Sequence, residues 1–292
     1  AIAYQHAYLP TCLMIENISL SEAPKAINCL QEITKFLSIA CRGNTSIAAQ
    51  HIFNQEEGRF HSLFEEPPFP IRKWGRPLIK SDVIEEYLVK VCSVNRSREQ
   101  NLALAFVTDH YLQSLTLRSA WPQSVGIFTA MESLKTAFFN QNSSEENESY
   151  NFWVVPPEDF ESNKIMIKEI ISVLAKHFPR FSELSQDEKQ SLEAQIKHGL
   201  KRRSYKTHLK RMLDLLDVQY LSRELQFFVN TRNRLIHEGT PVSADTPLSE
   251  YDEKSATAWQ HVMQAVGLFE RALLSFLNYD GPRELFNEGF TS

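Results

Sequence analysis

Leu225-Gln226-Phe227-Phe228-Val229-Asn230-Thr231-Arg232-Asn233-Arg234-Leu235-Ile236-His237-Glu238-Gly239 is the stretch on which the reading of the fold turns. With Val218 and Leu221 before them, Leu225, Phe228 and Val229 recur at three- and four-residue spacing, the period of a helix with one face on a core. The same stripe then meets Arg232. A guanidinium cannot shed its charge, so at a core-facing position it needs a partner or an opening to water. An internal ion pair, with Glu132 as the candidate partner, is the plain structural explanation. Asn233 and His237 are four apart and share a helical face, while Gly239 tolerates a left-handed ending and Pro241 forbids further helix. His237 therefore falls in the last turn of a helix read as 218–238. A histidine exchanges protons near neutral pH, so it suits acid or base work there.

Outward from this helix the chain reads as helical to its end. The spacing predicts helices over 82–91, 97–117, 122–140 (opened by Pro122 in a permitted first turn), 165–178, 187–199, 206–216 and 253–277. The last carries Ala258, Val262, Ala265, Val266, Phe269 and Leu273 as its stripe. The stretch 141–150 is Asn, Ser and Glu without a core residue and reads as an exposed loop. Before Lys80 the pattern is mixed: a strand at 12–18, a helix from about Ser21 to Arg42, a strand within 45–53, then the Pro-rich 65–70. The expected organisation is thus a mainly α chain, with a small α+β module or the tail of one over 1–80 and a helical domain over 81–292. The chain begins with Ala1 rather than Met, which is read as the start of a piece rather than of a whole protein.

The chain has 292 residues, 42% of them hydrophobic and 23% charged, with a formal net charge of -5. Those are the proportions of a globular protein, and no uninterrupted apolar run is long enough to span a bilayer, so a membrane role is excluded. The four cysteines Cys12, Cys29, Cys41 and Cys92 form no C-x-x-C pair and read as thiols of a reducing cytoplasm. Against the acidic mean stands a local basic run: Lys197, His198, Lys201, Arg202, Arg203, Lys206, His208, Lys210 and Arg211, without one acid among them. Either it is a solvated face or it holds a polyanion, whose binding then weakens with salt. Tyr205 within the run is placed to stack on a base.

Arg232, Asn233 and His237, on a helix after an apolar run and before a Gly, resemble the signature of the HEPN superfamily. The longer phrase from Leu225 to Gly239 is similar to the HEPN-like domain of bacterial abortive-infection proteins of the ApeA type. Upstream, Phe128-Thr129-Ala130-Met131-Glu132-Ser133-Leu134 resembles an early helix of that domain, so the likeness covers about 95–277. The resemblance implies a HEPN-type helical bundle and an endoribonuclease that needs no metal or other cofactor. It also implies a homodimer with the motif at its interface, RNA as partner, and a role in phage defence or as a toxin. Its site residues fall on Arg232 for the phosphate, His237 as acid or base, and Asn233 to orient His237 or touch phosphate. Lys201, Arg202, Arg203, Lys206 and Arg234 would bind the RNA backbone. A non-catalytic HEPN module that binds RNA, a nucleotide or a partner protein is the competing reading. A metallohydrolase is not supported, because His237-Glu238 lacks the second His of H-E-x-x-H, and neither a phosphate-cradling Gly-rich loop nor a G-x-S-x-G turn is present.

Overall fold

The structure is a computed structural model that describes residues 20–43, 49–54, 59–64, 77–94, 98–117, 120–142, 164–201, 204–239 and 248–284. It is mainly helical. By Cα proximity it divides into two compact units, 1–95 with 281–284, and 96–280 with 285–292. The helix that follows Lys80 packs on the first helix of the chain and belongs to the first of these units.

In the first unit, α1 (Ala23–Cys41) has Pro24 in its first turn, where a missing N–H costs nothing, and ends at Arg42 in the left-handed region (φ 49°). Gly43 N–H closes the end by donating to Ser38 O at 3.0 Å. The strands β1 (Ala49–Asn54) and β2 (Arg59–Phe64) form an antiparallel hairpin in which Ala49 faces Phe64 and Asn54 faces Arg59. The first overlaps the strand expected in 45–53. The second was not foreseen. After a tight turn at Ser81–Val83, α2 (Ile84–Ser93) buries Tyr87 and Val91. Tyr87 Oη donates to Phe36 O on α1 at 3.3 Å. Arg42 is buried and donates to Glu284 O at 2.7 Å, and Glu284 N–H donates to Leu78 O, so residues 281–284 close onto this unit. The strand expected at 12–18 and the Pro-rich 65–70 lie outside the described residues.

The second unit contains α3 (Arg98–Thr116), α4 (Ala120–Asn142), α5 (Lys164–His177), α6 (Gln186–Lys201), α7 (Tyr205–Leu215), α8 (Ser222–Glu238) and α9 (Leu248–Phe276). The expected loop over 141–150 begins later than predicted, since Gln141 and Asn142 still belong to α4, and 143–150 lie outside the described residues. Helices α3 and α4 form a tight hairpin, α9 lies on α4, and α8 packs on α9, α7 and α4. The core is built by Val107, Tyr111 and Leu115 of α3, Ile127, Met131 and Leu134 of α4, and Val262, Val266, Phe269 and Leu273 of α9, all buried. Burying each such side chain contributes on the order of 1.5–3 kcal/mol. Tyr111 Oη keeps its polar end satisfied by donating to the buried Glu270 carboxylate at 2.6 Å. Among the described residues, no helix is long and apolar enough to cross a membrane.

Gly126 sets how closely α3 and α4 approach. A Cβ added there would lie 2.6 Å from Ser114 Cβ and 3.2 Å from His110 O, neither of them the end of a flexible side chain. Gly126→Ala gains about 1 kcal/mol of helix propensity but forces the helices apart, at roughly 1–3 kcal/mol. The expected net result is destabilisation, read as a lower urea midpoint; a raised midpoint would show that the helix pair has room to spare.

Candidate functional site

Helix α8 carries the motif, and three side-chain contacts hold it in place. At its start, Glu224 Oε1 accepts from Arg271 Nη2 of α9 at 2.5 Å, an ion pair of which only about an eighth of each side chain is exposed. Midway, the Phe228 ring meets Phe128 of α4 edge-on, 4.8 Å between centroids. Alongside, Phe227 stacks on the His261 imidazole of α9 at 4.5 Å. Leu225, Phe228, Val229 and Thr231 are buried, and Gly239 (φ 67°) ends the helix by donating to Leu235 O. The helix starts later than its apolar period suggested. Asp217, with φ 52°, turns the chain out of α7, and 218–221 run outside any helix, so Val218 is buried while Leu221 is exposed.

Arg232 is only partly buried. The expected ion pair with Glu132 is not formed; Glu132 Oε1 instead accepts from Lys135 Nζ on the same helix at 2.6 Å. Instead the Arg232 guanidinium lies over the Tyr205 ring of α7, 4.3 Å from its centroid, and Arg232 Nη1 donates to Asn233 Oδ1 at 3.2 Å. Lys135 Nζ, on a largely buried side chain, lies over the same ring at 4.7 Å. Tyr205 Oη and Glu132 Oε2 are both buried without a hydrogen-bond partner among the described residues. Burial first, and then the Glu132 charge, push the Tyr205 hydroxyl well above the usual phenol range, with Arg232 opposing them. The phenol is neutral at any working pH. Counting Glu132, Lys135 and Arg232, the cluster carries one net positive charge.

His237 is exposed, and with Asn230, Asn233, Arg234 and Glu238 it lines an open groove of about 280 Å³ on the outer flank of α8. Arg232 is not among the groove's lining residues. Asn233 belongs to both places: its carboxamide oxygen accepts from Arg232, and its side chain lines the groove beside His237. Arg234 is exposed and meets Glu238 at 4.0 Å, a solvated pair that contributes little.

The basic run does not form a single face. His208 is buried against Phe139, 5.7 Å between rings, and Lys210 pairs with Asp214 at 2.5 Å. Lys206 is exposed and donates to Gln226 Oε1 of α8. Arg202 and Arg203 lie outside the described residues, as does the side chain of Lys201, whose backbone ends α6. Tyr205 is not an open platform for a base, since two cations already lie over its ring. His261 is a further titratable group at this site that the sequence reading passed over; its spacing on α9 marks it only as one more residue on a core-facing helix.

No family model matches the chain, and neither a curated protein nor a solved structure is significantly similar to it.

The His261 environment gives this region a pH dependence. Burial, and secondarily the Arg234 charge, lower its pKa below the usual 6.5. A depressed histidine pKa means the folded state resists protonation, so its contribution is present above the unfolded value and is lost as pH falls through the folded one. Acidification below about pH 6.5 should therefore lower the denaturation midpoint. His261→Phe, which keeps a ring against Phe227, should flatten that part of the profile; an unchanged slope would mean that His261 is not the group responsible.

Proposed function

We propose that the chain is a cytoplasmic endoribonuclease of HEPN type, with a small N-terminal α+β module ahead of its helical bundle, acting as a homodimer whose motifs meet at the interface. The observation that carries this reading is the state of Arg232. No carboxylate lies within ion-pair distance of its guanidinium among the described residues. One of its five N–H groups is committed to Asn233, and the rest suit a phosphate. A purely structural arginine at such a position is expected to hold a carboxylate partner.

The chemistry asks little more. RNA brings its own nucleophile, so a neutral His237 imidazole accepts the 2′-hydroxyl proton as that oxygen attacks phosphorus. Arg232 stabilises the charge that gathers on the phosphoryl oxygens. The bond to the 5′-oxygen breaks, and an imidazolium, supplied by the second copy of His237, returns a proton to it. A 2′,3′-cyclic phosphate and a 5′-hydroxyl result, with no water or metal consumed. Lys201, Arg202, Arg203, Lys206 and Arg234 would hold the backbone on either side. This activity fits a phage-defence or toxin effector.

A second reading is favoured by one observation: within a single chain the groove beside His237 lacks Arg232. A non-catalytic module that binds RNA through these groups would have that arrangement and need nothing further.

Purified protein should cut labelled RNA in EDTA, and Arg232→Ala or His237→Ala should each lower the single-turnover rate by about 10² or more with affinity little changed. Replacing Lys201, Arg202 and Arg203 together should weaken binding and flatten its salt dependence by up to about one unit of slope for each phosphate no longer neutralised. If His237→Ala cuts at the wild-type rate, the ribonuclease reading of this site fails; if the wild-type protein binds RNA without cutting it, the binding module takes its place.

A further inference from the structure

If Arg232 is the group that meets phosphate, as proposed above, its aim matters, and the residue that fixes it is not in the motif. We propose that Tyr205 is the positioning residue for Arg232, acting through the face of its ring. The guanidinium carbon is 4.3 Å from the ring centroid, inside the range of about 6 Å over which an aromatic face attracts a cation. The same guanidinium donates to the neighbouring Asn233, a contact that is long at 3.2 Å and comes from the next residue of its own helix. That contact cannot by itself fix Arg232 relative to the rest of the bundle. The ring can, because it belongs to another helix.

Tyr205 is itself held firmly. It is the first residue of α7, directly after Ser204, whose side chain caps the helix by accepting from Thr207 N–H at 3.2 Å. From α4, Lys135 Nζ lies over the same ring and is tied down by Glu132. The ring therefore joins α4, α7 and α8 through two cations. The hydroxyl takes no part in this, since Tyr205 Oη has no hydrogen-bond partner among the described residues. Ring and hydroxyl can thus be separated by substitution: phenylalanine keeps the face, leucine keeps only bulk.

In single-turnover cleavage by the full chain, Tyr205→Leu should lower the rate by about 10-fold or more, as expected of a misplaced transition-state contact, while the half-saturating protein concentration changes little. Tyr205→Phe should restore most of the rate. In an Arg232→Ala background, Tyr205→Leu should cost nothing further, because a residue acting only through Arg232 has nothing left to act on. A folded Tyr205→Leu protein that cuts like wild type overturns the proposal, and so does a loss of equal size in the Arg232→Ala background, which would mark a merely structural role. The Arg232 Nε–H resonance of the wild-type protein provides a readout independent of activity and of how well Tyr205→Leu folds. An upfield ring-current displacement supports the stacking, and a shift equal to that of exposed arginines overturns it. If wild-type protein cuts no RNA but the displacement is present, the ribonuclease reading has failed while the positioning of Arg232 by Tyr205 stands.

Discussion

A permanent positive charge sits on the core-facing stripe of α8, and the neighbouring helices are arranged around it. Water and a carboxylate are the usual remedies for such a charge. Neither is used fully here. Arg232 is partly buried, and the nearby acid, Glu132, is committed to Lys135, which is even more deeply placed and needs its carboxylate more. What remains for Arg232 is the Tyr205 face, worth about 0.5–2 kcal/mol, and one amide oxygen. That is enough to hold a guanidinium but not to neutralise it. The cluster of Glu132, Lys135 and Arg232 keeps a formal charge of one positive unit, which is what the proposed phosphate contact would draw on.

The parts of this arrangement differ in how far they could be read from sequence. The stripe Leu225, Phe228, Val229 and the stop at Gly239 were legible, since both depend on local periodicity and on the one residue that takes a left-handed ending cheaply. The start of α8 was not. Val218 and Leu221 continue the helical period, and Val218 is buried as the period predicts, but it reaches the core from an extended segment. Burial and period agreed there for different reasons. Likewise β2, Arg59–Phe64, lacks the β-branched residues that mark a strand and forms by pairing with β1.

The site was legible where it depends on one helix and obscure where it depends on several. Arg232, Asn233 and His237 can be picked out because their spacing fixes their relative directions. The partner of Arg232 could not be, since Tyr205 and Glu132 both lay within a plausible bundle and only packing decided which one met the guanidinium. The basic run misled in the same way: His208 and Lys210 are two apart on one helix and therefore point in different directions, one to Phe139 in the core and one to Asp214 at the surface. Counting charges along a sequence overlooks that divergence.

Helical geometry also limits how Arg232 and His237 can cooperate. Five residues correspond to about 500° of rotation, so their Cα–Cβ directions differ by about 140° and their positions by about 7.5 Å along the axis. No straight helix turns both side chains to one point, which is why the groove beside His237 is lined by Asn230, Asn233 and Arg234 but not by Arg232. Asn233 lies between the two directions: it accepts from Arg232 and lines the groove that His237 also lines. It cannot supply a second proton-transfer group. For the ribonuclease proposed above, an acid and a base at one phosphate would call for a second α8 beside the first, since one copy presents a single His237. A binding function has no such requirement, since an anionic strand can follow the flank of one helix from Arg232 past Asn233 to His237. In the proposed ribonuclease, the five-residue spacing of Arg232 and His237 would thus tie catalysis, and not binding, to the pairing of two chains.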